Sequence, residues 1–230
     1  MTYAVPTLFI PALLCDDAMY RAVIDLLGDA IAAQVLLSPR PALADSVAEI
    51  LAQAPPRFAL VGTSYGGSLA LAIALAAPER VMALWLMGCS AAAPNPGTPD
   101  LAAALDADPQ RVIERLSRLA VSPQSPGAAQ TYRAMAQRVG AAAGAAQARA
   151  AASRADMVAR LGLLTMPALV LWGKQDALSP LSFGEALAFG LPNARLAVLE
   201  DCGHLPTLER PTEAAALFRS LLEALPPPRA

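Results

Sequence analysis

Six short apolar runs recur along this chain of 230 residues, at 5–11, 34–37, 57–61, 81–87, 168–172 and 195–199, with helix-like segments between them. That alternation is the mark of βαβ units, and it predicts an α/β fold built on a mostly parallel, doubly wound sheet of about six strands. The runs are apolar at odd and even positions alike, as strands covered on both faces must be. Right-handed crossovers place all the strand C-termini on one edge of such a sheet, where ligands bind. Chemistry is therefore to be sought just after strands.

Helices are expected near Met19 to Leu27, from Asp45 to Ala54 with Asp45 as N-cap, over 68–77 up to Pro78, and from Thr212 to Leu225 before the prolines at 226–228. Between 91 and 164 no strand is legible. Prolines and glycines cluster at 94–99 and 122–127, and alanine-rich, helix-favouring sequence follows around Arg133 to Arg149. This predicts a helical cap insertion at 95–161 over the strand ends, with a core formed by residues 1–94 and 162–230.

Charge excludes several partners. Seventeen basic against nineteen acidic residues give a net charge of -2, without the basic footprint that nucleic acid or an anionic membrane surface demands. No apolar run approaches the ~18 residues of a membrane helix. The N-terminus lacks a positive segment before its apolar stretch, so a cytoplasmic, reducing location is expected. Cys15, Cys89 and Cys202 are odd in number and widely spaced, which predicts small buried residues, not a disulfide framework. With one histidine and no CxxC, no metal site is expected.

Gly62-Thr63-Ser64-Tyr65-Gly66 follows an apolar strand and opens a helix. A G-x-S-x-G turn in that context forces its serine into strained angles and pushes the hydroxyl outward, as a nucleophile requires. The bland alternative is a tight turn with an N-capping serine. A serine hydroxyl needs a base beside it, and His204, the sole histidine, lies just beyond the strand at 195–199. The base needs an acceptor on its other nitrogen. Asp176 stands one short loop beyond the strand at 168–172. Glu200 and Asp201 are rivals, but they lie too near His204 in sequence to reach back to it readily. An oxyanion would take the backbone N–H of Tyr65 at the helix start. The second donor is expected in the loop after the first strand, at Leu13 or alternatively Leu14.

Together FIPALLCDDAMY, LVGTSYGGSLALAIALAAPERV, RADMVARLGLLTMPALVLWGKQDALSP and LAVLEDCGHLPTLERP resemble the α/β-hydrolase superfamily over nearly the whole chain. The resemblance implies Ser64 as nucleophile, Asp176 as acid, His204 as base, Leu13 and Tyr65 as oxyanion donors, and 95–161 as the cap. Two departures stand out. Pro11-Ala12 replaces the His-Gly that often precedes the oxyanion residue, and the chain starts at the family's third strand, without its antiparallel N-terminal hairpin. A shortened sheet with an exposed first edge would favour a homodimer. The expected activity is hydrolysis of a small, largely uncharged carboxylic ester or lactone through an acyl-enzyme, with no metal or organic cofactor. The same resemblance covers carbon–carbon bond hydrolases, a cofactor-independent lyase and non-catalytic binding modules.

Overall fold

The computed structural model describes residues 4–225. Its sheet has six strands, β1 (Val5–Ile10), β2 (Ile31–Val35), β3 (Phe58–Thr63), β4 (Val81–Met87), β5 (Ala168–Gly173) and β6 (Ala194–Leu199), in the order β2-β1-β3-β4-β5-β6. Every neighbouring pair is parallel. The helices joining them are α1 (Arg21–Leu27), α2 (Leu43–Gln53) and α3 (Tyr65–Ala76). Four helices, α4 (Leu101–Ala107), α5 (Pro109–Leu119), α6 (Pro126–Val139) and α7 (Ala141–Ala152), fill the stretch between β4 and β5. Then come α8 (Leu181–Gly190), the short α9 (Pro206–Glu209) and α10 (Pro211–Glu223).

Strand residues alternate between two cores. Ala59, Val61, Trp85, Leu169 and Leu171 face α1 and α10, and Trp85 stacks on Phe218 of α10 at 4.5 Å between ring centroids. Phe58, Leu60, Leu84, Val170 and Trp172 face α2, α3 and α8. Strands β3 and β5 are buried on both faces, which is why they read as unbroken apolar runs. Each large side chain so buried stabilises by about 1.5–3 kcal/mol.

Several expected boundaries move. β2 begins at Ile31, three residues before the expected Gln34, because Ala32 and Ala33 are exposed on an edge strand and carry no apolar signal. Asp45 is not the N-cap of α2. Ala42 holds that place with no side-chain bond, and Asp45 lies in the first turn, where its charge suits the helix dipole. The long alanine-rich stretch is two helices, broken at Gly140 with φ +83°. The sheet's first edge is β2, since β1 is paired on both sides. The prolines expected to stop the last helix fall outside the described residues, and α10 ends at Glu223.

The strand order reverses between β1 and β3. From β1 the chain steps outward to β2, then crosses back to build β3 on the other side. Loops leaving β1 and β3 at such a switch point diverge and leave a crevice. Those loops hold Leu13 and Ser64.

Candidate active site

Ser64 closes β3 and opens α3 with φ 57° and ψ −120°, a region that costs a non-glycine residue on the order of 1–3 kcal/mol. The strain is held by the surroundings. Ser64 N–H donates to the Met87 carbonyl at 2.8 Å, and its own carbonyl accepts from Gly67 and Ser68 N–H at 3.0 Å. A Cβ at Gly66 would lie 2.1 Å from the Ile10 carbonyl oxygen, so β1 packs against the turn only because that residue is glycine. The Ser64 side chain makes no capping bond, which removes the bland reading of an N-capping serine. The turn presents a hydroxyl, with the first N–H groups of α3 beside it.

His204 and Asp176 meet from loops 28 residues apart in sequence, after β6 and β5. Nδ1 of His204 lies 2.7 Å from Oδ2 of Asp176, and their side chains are 3% and 2% exposed. The other carboxylate oxygen, Oδ1, accepts from Leu178 N–H at 2.9 Å and Ser179 N–H at 2.8 Å. An ionised carboxylate only accepts, so the imidazole proton belongs on Nδ1 and Nε2 is left as a base. Gly88, with φ +55°, leaves the space for the ring. A Cβ there would come within 2.6 Å of His204 Cε1. The rivals face away: Glu200 pairs with Lys174 at 2.6 Å in solvent, and Asp201 reaches only Gln175.

Ser64, Tyr65, His204, Leu13, Gly88 and Arg154 line one cavity of about 300 Å³, at the small end for a ligand site. Of the two candidates for the second oxyanion donor, Leu13 lines it and its alternative Leu14 does not. Leu14 N–H donates instead to Oε1 of Gln147 at 3.0 Å, and Leu14 has φ 63°. Tyr132 Oη donates to the Leu13 carbonyl at 3.3 Å. Both polar ends of the Leu13–Leu14 peptide are thus held by side chains of α6 and α7. That peptide adjoins the one that carries the Leu13 N–H, so holding it restrains the Leu13 backbone.

Glu209, in α9, is a further residue the sequence reading passed over. Its buried carboxylate accepts from Ser122 N–H at 2.7 Å, Gly203 N–H at 3.0 Å and Leu205 N–H at 3.2 Å, gripping the backbone on both sides of His204. A carboxylate in the first turn of a helix begun by Pro206 was the available signal. Gln147, Tyr132 and Arg154 gave none, because their partners are remote in sequence. The three cysteines are buried and free, as expected, and burial pushes the Cys89 thiol up to about 12. Among the described residues no cluster of three metal-ligating side chains occurs, and no helix is long and apolar enough to cross a membrane.

Comparison with known proteins agrees with this architecture. The model of the "Alpha/beta hydrolase family" matches residues 3–217. A pimeloyl-[acyl-carrier protein] methyl ester esterase of Aromatoleum aromaticum is 33% identical over 75% of this chain and 77% of its own length. A 2-hydroxy-6-oxononadienedioate/2-hydroxy-6-oxononatrienedioate hydrolase of Dechloromonas aromatica is 33% identical over 63% of this chain, which spans 55% of that relative's length. Among solved structures, a thermophilic esterase from Thermogutta terrifontis superposes with a TM-score of 0.84 at 24% identity, over 97% of this chain and 91% of that one. An enol-lactonase from Burkholderia xenovorans gives 0.82 at 18% identity, over 96% and 92%. This chain belongs to the alpha/beta hydrolase family.

Proposed function

We propose that the protein is a serine hydrolase that cleaves small carboxylic esters or lactones through an acyl-enzyme on Ser64. The observation that carries the reading is a strained, outward-turned Ser64 in one cavity with a histidine whose far nitrogen is bonded to a buried, twice-anchored carboxylate. The residues after each of three strands have the forms that nucleophile, acid and base require.

In this mechanism His204 Nε2 takes the Ser64 proton as Oγ attacks the ester carbonyl. Leu13 and Tyr65 N–H groups receive the oxyanion that forms. The imidazolium, stabilised by Asp176, then protonates the leaving alkoxide and the acyl-enzyme results. Water deprotonated by the same nitrogen attacks it, and Ser64 recovers its proton as the acid departs. The helices over 95–161 act as a cap that encloses the cavity and positions the acyl group. A fluorophosphonate should label Ser64, as read by mass spectrometry of tryptic peptides, and p-nitrophenyl esters should be turned over. A label on a cysteine instead would overturn the serine mechanism.

Similarity to the Dechloromonas hydrolase keeps a second reading in view, cleavage of a carbon–carbon bond by the same three residues. A panel of vinylogous diketones beside the esters separates the two.

A further inference from the structure

Arg154 is the unexplained charge of the site. It follows α7, is half-buried, and lines both the Ser64 cavity and a groove of about 820 Å³ that continues from it past Asp100 and Phe183. Nε donates to the Ala92 carbonyl at 2.7 Å and Nη1 to Ser68 Oγ at 3.3 Å. Nη2 donates to no described residue, and no described carboxylate lies within ion-pair distance of the guanidinium. Asp156, two residues on, is the acidic group that acts on it, while its own oxygens accept from Ala93 and Val158 N–H.

Bracing Ala92 would need only a neutral donor. Partly burying a cation with no carboxylate in ion-pair contact is costly, and burial lowers the pKa of Arg154 from the ordinary guanidinium value, though a guanidinium stays charged in proteins. Such an arrangement makes sense when the missing anion arrives with the ligand. Its place sets the ligand's length. Ser68 stands one turn beyond Ser64 on the same face of α3, about 6 Å along the axis, and Arg154 touches Ser68.

We propose that Arg154 is the anchor for a carboxylate at the far end of the acyl group, so that the substrate is a monoester of a short dicarboxylic acid or the corresponding carboxylated lactone. The inference rests on the serine-hydrolase reading above and replaces the expectation of an uncharged substrate. A carboxylate paired end-on with Nη1 and Nη2 would stand roughly three to five carbons from the scissile carbonyl. Leu13, Leu101, Leu116 and Phe183 give the wall apolar surface that suits the methylenes between.

The test compares methyl hydrogen succinate, glutarate and adipate with the methyl esters of the matching monoamides, which have the same shape and no charge, following methanol release at neutral pH. The carboxylate ester should win by at least about tenfold in kcat/KM at its best chain length, mostly through KM, and the margin should shrink with added salt. In Arg154→Met the acid-to-amide ratio should fall to about one, and Arg154→Lys, which keeps the charge but not the fork, should retain part of it. Equal rates for acid and amide in the wild-type enzyme, or a preference that survives in Arg154→Met, would overturn the anchor. The wild-type ratio decides the matter even if Arg154→Met does not fold. Failure of the parent reading looks different: no phosphonate on Ser64 and no turnover of acid or amide ester.

Discussion

The sheet core and the helices over 95–161, the proposed cap, approach the Ser64 cavity in different ways. Each core residue of the site, Ser64, Asp176 and His204, sits on a short loop leaving a strand, so the sheet fixes all three at once and backbone bonds hold each loop. The cap reaches in with long side chains from helices: Gln147 and Tyr132 onto the Leu13–Leu14 peptide, and Arg154, just past α7, onto Ser68. In the proposed mechanism the core carries bond chemistry that tolerates little displacement, and the helices over 95–161 carry placement. Changing one should therefore act on rate at saturation, and changing the other on orientation and choice of substrate.

The largest effect tests the core half. Ser64→Ala should lower kcat on the order of 10⁶-fold, as loss of a nucleophile in a cooperative triad does, and should relieve backbone strain little, since alanine is no happier at φ 57°. Thermal unfolding should stay within a few degrees of wild type. Residual ester turnover above about one per cent would mean that the nucleophile lies elsewhere.

Next comes the acid. Asp176→Asn should cost about 10⁴-fold in kcat, because an amide nitrogen facing Nδ1 favours the wrong imidazole tautomer. Glu200→Gln and Asp201→Asn, both in solvent, should stay within about threefold. Steady-state kinetics on one ester ranks the three. A crippling Glu200→Gln would reassign the acid.

The cap gives the middle effect. Gln147→Leu leaves Leu14 N–H unpaired beside an apolar side chain and frees the peptide to turn, which misdirects the Leu13 N–H. Losing one oxyanion donor costs about 10²–10³-fold in kcat, and a misdirected one should cost about ten- to a hundredfold, with KM changed much less. Gln147→Glu cannot repair it fully, because the carboxylate brings a buried charge with it. A variant whose KM rises while kcat holds would make Gln147 part of the binding wall and blur the distinction between the two regions.

The same contrast explains what the sequence could reveal. Strands covered on both faces are legible as apolar runs, and Ser64, Asp176 and His204 could be read because each follows such a run within a few residues. The start of β2 is illegible because that signal fails there: Ala32 and Ala33 are exposed at a sheet edge. Gln147 and Arg154 are illegible for another reason. Their partners lie 133 and 86 residues away, at Leu14 and Ser68, and no local pattern records a contact between segments so remote in sequence. The break at Gly140 hid inside helix-favouring alanines, where one left-handed glycine is enough to turn the chain.

The smallest effect concerns the thiols, which touch both regions and should matter to neither chemistry. Replacing Cys15, Cys89 and Cys202 by alanine should keep kcat within about tenfold and cost on the order of 1 kcal/mol per site through lost buried volume. Their pH signature is sharper. Burial raises the Cys89 thiol from its ordinary 9.0 to about 12, and it raises Cys15 and Cys202 as well. Between those values the folded chain keeps protons that the unfolded chain gives up, so stability falls as pH rises. The contribution is fully present below pH 9.0 and drains away as pH climbs toward about 12. Melting temperature should therefore be flat through neutral pH and fall beyond pH 9, and the triple alanine variant should fall less steeply. Iodoacetamide at pH 8 should leave the native thiols unmodified and label all three once the chain is unfolded. Rapid labelling of Cys89 in the native protein, with loss of activity, would instead place a reactive thiolate on the wall of the Ser64 cavity.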